Sequence, residues 1–271
     1  MDAQDKIFVG TSGYVFPDWA GTFYPRGLRR ELWLRYYIEH FKSLELNTTF
    51  YAIPEAKRMA DMARKFPDDF NLHIKLPQKI THERGIDIDV VKAVIDRFIS
   101  SVKPFAEKGI LRGYLAQFPF SFRPTRENER FFLAAASLCP RPLFVEFRNK
   151  QWLSEATMRR LADEGIGWVV PDVPDVEGLM PNTPILTTGV GYIRLHGRNK
   201  VDWYSSERDR YNYAYSDDEL SDIFNLARSL IEKGAKKVFV YFNNCHFGRA
   251  AVNAKKFAQM LGLLPPEQRL L

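Results

Sequence analysis

Cysteine is nearly absent from this chain. Cys139 and Cys245 are its only two, far apart and in no CxxC or Cys/His spacing, which argues against a zinc module and against a disulfide-stapled scaffold. Long apolar runs are missing too, since none approaches the ~20 residues that a membrane-spanning helix needs. The opening residues, MDAQDKIFVG, carry no basic segment and lead straight into a strand pattern. No signal peptide and no membrane association are therefore expected, and the expected location is the cytoplasm. No linker or low-complexity stretch interrupts the sequence, so residues 1–271 are read as a single domain. Two signatures of chemistry are also lacking: no GxGxxG follows the first strand, and no HExxH or HxH occurs anywhere.

Neither sign of charge dominates. Lys and Arg number 39 against 33 Asp and Glu, a net charge of +6. That mild excess favours an anionic partner without specifying nucleic acid. Aromatic residues are plentiful, and many fall between the regular elements, where they either stack on a ligand or seal loops onto the body.

Short apolar runs alternate with longer amphipathic ones from end to end. Strands are predicted at 7–12, 43–51, 71–77, 113–119, 143–149, 167–172, 192–197 and 238–244. Between them, apolar residues recur at helical spacing, as in Leu220, Ile223, Phe224, Ala227 and Ile231. Thr125 and Ser154 sit where helix N-caps belong, and Gly109 and Gly234 where left-handed C-caps belong. Only VPDVEGLMPNTP, after strand six, lacks a convincing helix pattern. Eight strands, nearly all followed by helices, predict an α/β fold: a single closed (β/α)8 TIM-type barrel with an irregular or missing helix after strand six. An open doubly wound sheet is the alternative.

Alternation along the strands then separates two faces. The apolar phase is expected to pack under the helices, and the polar phase to face the barrel axis. That places Ser12, Glu45, Asn47, Thr49, His73, Lys75, Gln117, Glu146, Arg148, Asp172, Arg194, His196, Tyr241 and Asn243 in the upper interior. Barrels usually fill this space with branched apolar side chains, and their active sites lie at the C-terminal strand ends. So polar a filling is the main functional signal in the sequence. Its competing explanation is an interior ion-pair network without chemistry.

Three chemistries are compatible with these residue types. Glu45, Glu146, Asp172, His73, His82, His196 and His246 include enough ligand types for a divalent metal, but cations in the same ring compete for the carboxylates. No cofactor and no metal site is expected. Paired carboxylates suit glycosidase-like work, yet cations beside both oppose the raised pKa that an acid needs. An anion site fits best: Arg194 and Arg198 are read as a phosphate clamp, with Lys75 and Arg148 in support. His196, with Glu146 or Glu45, is expected to move protons. Asn47, Gln117, Asn243 and Tyr14 complete the expected substrate contacts. The loop VDWYSSERDRYNYAYS interleaves Trp203, Tyr204, Tyr211, Tyr213 and Tyr215 with Arg208 and Arg210, a mixture that suits stackable bases.

Several motifs together resemble the DUF72 family, the YecE-like proteins: GTSGYVFPDWAGTFYP, LELNTTFYAIP, KLPQKITHE, AQFPFSF, VEFRNKQW, YIRLHGRN and VYFNNCHFGRAAVNA, spread over residues 7–262. The resemblance implies a (β/α)8 barrel and no settled activity. Its motif positions include Tyr14, Asn47, Lys75, Gln117, Glu146, Arg148, Arg194, His196 and Asn243. In EFRNKQW the family pattern leads one to expect histidine where this chain has Asn149. The expected function is an enzyme-like barrel that binds a phosphate-bearing substrate, either nucleic acid or a sugar phosphate. The alternatives are a non-catalytic nucleic-acid-binding protein and a metal-dependent sugar isomerase or epimerase.

Overall fold

The computed structural model describes residues 3–83, 85–201, 203 and 210–265. Eight parallel strands close into a barrel in sequence order. They are β1 (Ile7–Ser12), β2 (Ser43–Leu46), β3 (Asn71–Lys75), β4 (Leu111–Phe118), β5 (Leu143–Phe147), β6 (Ile166–Asp172), β7 (Val190–Leu195) and β8 (Lys237–Phe242). Closure comes from β8 pairing with β1, with Ile7 opposite Val238 and Thr11 opposite Phe242.

Among the described residues the helices are α1 (Trp33–His40), α2 (Thr48–Tyr51), α3 (Ala56–Ala63), α4 (Gln78–Thr81), α5 (Ile88–Glu107), α6 (Arg126–Leu138), α7 (Glu155–Asp163), α8 (Asp217–Glu232) and α9 (Arg249–Met260). Their starts follow from side-chain chemistry. Thr125 accepts from the Asn128 backbone N–H, Ser154 from Thr157, and Ser216 forms a capping box with Glu219. Gly109 and Gly234 follow helices with φ of 75° and 104°, the left-handed cap that favours glycine. Between β6 and β7 the described chain is irregular, as its sequence implied.

The outer core is one apolar layer between strands and helices, including Leu44, Ile74, Val145, Ile193, Val240, Phe98 and Phe257. A second, smaller cluster fills the barrel: Leu115, Phe144, Val169, Tyr192, Phe239 and Tyr241. Phe144 fits there because its neighbours have no side chains. A Cβ on Gly167 would lie 2.3 Å from the Phe144 ring, and one on Gly113 would lie 2.6 Å from it. Interior packing leaves no slack for such an overlap.

One predicted strand is corrected. Strand two was expected over 43–51 but ends at Leu46, and residues 48–51 form α2 instead. Asn47, Thr48 and Thr49 offer the backbone polar alternatives to a ladder, and Thr49 Oγ1 donates to the Lys75 carbonyl at 2.7 Å. The turn carries Phe50 over to the Lys75 ammonium, 3.8 Å from the ring centroid.

Candidate functional site

The polar ring lies at the C-terminal end of the barrel, and Arg194 on β7 is its hub. Arg194 Nε and Nη2 donate to Glu45 Oε2 and Oε1 at 2.8 and 2.7 Å, and Nη1 donates to Glu146 Oε2 at 2.6 Å. Tyr192, two residues earlier on the same inward phase, donates to Glu45 Oε2 at 2.7 Å. Glu146 Oε1 is shared by Arg148 Nε and by His196 Nε2, the latter at 3.2 Å. Glu45, Glu146 and His196 are wholly buried and Arg194 nearly so.

These contacts settle the charge states. Burial, the largest single cause, would push both carboxyls up, but the charge and hydrogen bonds of Arg194 together with the Tyr192 hydroxyl outweigh it at Glu45, and Arg148, Arg194 and His196 together outweigh it at Glu146. Both stay ionised. His196 is pushed down to about 3, first by burial and then by Arg148. Its Nδ1 lies 3.2 Å from Arg148 Nη2 and 2.9 Å from Asn243 Nδ2. Arginine nitrogens only donate, so Nδ1 accepts and the single ring proton sits on Nε2, facing Glu146. Its lone pair is thus already taken, which suits His196 to positioning Arg148 and Asn243 rather than to carrying protons.

The expected two-arginine clamp is redirected in the same way. Arg194 spends its donors on Glu45 and Glu146. Arg198 Nε and Nη2 grip Asp172 at 2.9–3.1 Å, and Tyr215 donates to the same carboxylate at 2.7 Å. Gly197, with φ of 92°, makes the turn that aims Arg198 at Asp172. A Cβ there would meet Tyr213 Cβ at 2.6 Å.

Lys75 behaves differently. At the end of β3 it donates to the neutral Gln117 Oε1 at 2.8 Å and pairs with no carboxylate among the described residues. Burial, then repulsion from Arg194, lowers its pKa from 10.5 to about 7, with Glu45 and Glu146 opposing. Among the interior groups whose pKa values are shifted, it is the one poised near neutrality.

The other predicted residues divide. Asn47, Tyr14 and Asn243 line a cavity of about 300 Å³ at the mouth, together with Tyr51 and Tyr211. Trp203 is buried, with the Arg210 guanidinium 5.2 Å from its ring and Arg210 Nε donating to its carbonyl, so it seals the loop instead of offering an open stacking face. Tyr204 and Arg208 lie outside the described residues. Of the candidate metal ligands, His196 and Glu146 meet, but the other histidines are dispersed: His73 sits in the lower aromatic cluster, His82 against Phe50, and His246 beside Asp18. Among the described residues no three His, Cys, Asp or Glu side chains gather to hold a metal ion. Asn149, at the position of the expected histidine, is buried and held by local hydrogen bonds. It caps a turn by accepting from Gln151 N–H and donates to the Phe120 carbonyl, both at 3.0 Å. Tyr192 and Phe50 go unremarked in the sequence as site residues, and Tyr215, read there as a stacking ring, is buried and donates to Asp172 instead. Tyr192 is legible from the 192/194/196 alternation, whereas the place of Phe50 depends on the turn at α2.

A closed parallel (β/α)8 barrel with a charged C-terminal interior defines the class: a TIM-type barrel with its candidate site at the usual face. The family model described as "Protein of unknown function DUF72" matches residues 8–269, and the chain belongs to that family. It is 31% identical to the UPF0759 protein YunF of Bacillus subtilis, over 95% of each chain. Identity to the UPF0759 protein YecE of Escherichia coli K12 is 27%, over 65% of this chain and 63% of that protein. Among solved structures, a DUF72 family protein from Thermotoga maritima superposes with a TM-score of 0.87 at 39% identity, covering 94% of this chain and 99% of the other. One from Enterococcus faecalis gives 0.82 at 25% identity, covering 97% and 99%. Among the described residues no helix is long and apolar enough to cross a membrane.

Proposed function

We propose that this protein is an enzyme-type barrel that binds a phosphate-bearing small molecule at its C-terminal mouth, with Lys75 and Arg148 holding the anion. The observation that carries this reading is an unmatched cation. Glu45, Glu146 and Asp172 meet the guanidiniums of Arg148, Arg194 and Arg198, and Arg198 also lies 3.5 Å from Glu219. Lys75 is the cation in this ring with no carboxylate partner among the described residues, its ammonium donating to Gln117. An unpaired buried ammonium is unfavourable, and an anionic ligand supplies the missing partner.

Arg148 has capacity to share in this. Its Nε and Nη2 are committed to Glu146 and His196, while Nη1 has no partner among the described residues. Proton transfer falls to Lys75, because the carboxylates are held ionised and the His196 lone pair is occupied. A lysine amine near neutrality both gives and takes protons at working pH.

The test is calorimetric titration with inorganic sulfate and phosphate esters at low salt. The native protein should bind, and Lys75→Met should lose at least tenfold in affinity while keeping its fold by circular dichroism. Equal affinity in the two proteins would sink the reading. Tighter, strongly salt-dependent binding of an oligonucleotide would replace it with the nucleic-acid-binding alternative.

A further inference from the structure

The mouth cavity differs in character from the cationic sector beside it. None of its lining residues is charged: Ser12, Gly13, Tyr14, Val15, Phe16, Leu46, Asn47, Thr48, Tyr51, Tyr211, Asn243 and Cys245. Three tyrosine rings surround it, and two side-chain amides give it hydrogen-bonding capacity. Asn47 Oδ1 is buried and has no hydrogen-bond partner among the described residues. Buried polar atoms are nearly always satisfied, and an exception points to a missing partner. Asn243 spends its Nδ2 on His196 Nδ1, and its Oδ1 has no partner among the described residues.

The cavity adjoins the anion sector through shared neighbours. Asn243 in the cavity wall and Arg148 both lie against His196 Nδ1, at 2.9 and 3.2 Å. On the other side, the chain runs from Asn47 to Thr49, whose hydroxyl is fixed on the Lys75 carbonyl at 2.7 Å. A ligand with its anion on Arg148 and Lys75 therefore has this neutral aromatic hollow as its next contact.

The glycine loop GTSGY builds the hollow's wall. Gly13 has φ of 94°, where a Cβ would meet the Phe16 ring at 3.0 Å. Its N–H donates to the Glu45 carbonyl at 2.8 Å, and the Tyr14 carbonyl is held by Tyr24 OH at 2.6 Å. Tyr14 is thereby a fixed wall rather than a mobile flap.

Resting on the reading above, we propose that this cavity is the subsite for the planar base of a mononucleotide whose phosphate lies against Arg148 and Lys75. Stacking suits any base, and an amide matches the adjacent donor and acceptor of a base edge. At about 300 Å³ the hollow holds one nucleoside unit, not a strand.

The experiment is calorimetric titration of the full chain with inorganic phosphate, ribose 5-phosphate and the four common nucleoside monophosphates. At least one nucleotide should bind tenfold or more tighter than ribose 5-phosphate. Tyr51→Ala, at a largely exposed position, should weaken that nucleotide about five- to tenfold with an unchanged circular dichroism spectrum, and Asn47→Ala should do likewise. Both should leave ribose 5-phosphate within twofold. If ribose 5-phosphate binds as well as every nucleotide, the base subsite is overturned while the anion site stands. If no phosphate compound binds, both fall. An oligonucleotide that outcompetes all mononucleotides overturns the small-molecule assignment.

Discussion

Two buried histidines show how differently the two levels of the barrel interior are built. His73 sits low, edge-on to Phe144, Tyr192 and Phe239, with Nδ1 2.8 Å from Tyr241 OH. His196 sits high, among Glu146, Arg148 and Asn243. Both are pushed down to about 3, with burial the largest cause. The same neutral imidazole fills space in an aromatic layer and orients donors in an ionic one. A pKa shift therefore does not mark function by itself, and the surroundings decide.

The sharpest way to break the upper level is Arg194→Met. It strands Glu45 and Glu146 without their shared guanidinium and should destabilise the fold by ~3–5 kcal/mol in urea unfolding. Arg194→Lys should recover little of that, because one ammonium cannot reproduce a three-way fork. A loss below about 1 kcal/mol would mean that the network is not what holds this level together.

Lys75→Met should act in the opposite direction. It removes a desolvated cation with no carboxylate partner, so stability should hold or rise by ~1–3 kcal/mol while sulfate binding is lost. The pH dependence carries the sign. Between about 7 and 10.5 the unfolded Lys75 keeps a proton that the folded one has shed, so this group makes native stability rise with pH across that window. Urea midpoints measured from pH 7 to 10 should show a steeper rise in the native protein than in Lys75→Met. Sulfate affinity, by contrast, should fall as pH rises through about 7, because the bound anion needs the ammonium. Identical pH profiles for the two proteins would remove Lys75 from the account.

In the lower level, His73→Phe should cost only ~1–2 kcal/mol, the price of the Tyr241 hydrogen bond in an otherwise apolar site. It should leave sulfate binding unchanged, and a loss of binding would show that the two levels are coupled. Smallest is Asn149→Ala, which should cost ~1 kcal/mol through its lost turn cap. It too should leave anion binding intact, as checked by the same titration.

The closed barrel was legible in the succession of eight strands, nearly all followed by helices, and most of the polar ring in the period-two alternation along them; His73 and Tyr241, expected in that ring, sit in the lower aromatic layer instead. The absence of a helix after β6 was legible too. The partners within the ring were not legible. Whether Arg194 meets a ligand or Glu45 depends on the relative stagger of β2 and β7, which alternation does not encode. The end of β2 was missed because Leu46-Asn47-Thr48 continues the alternation on paper while its side chains favour a turn. Lys75 stood out only once the guanidiniums of the ring had been matched to carboxylates in space.

The Arg194 network also bears on how the chain folds. Its bonds to Glu45 span 149 positions of sequence, and its bond to Glu146 spans 48. It is complete only once β2, β5 and β7 are all in place. Contacts that complete last weigh on the unfolding rate more than on the folding rate. The guanidinium is therefore expected to act as a late latch, so that Arg194→Met should speed unfolding more than it slows folding.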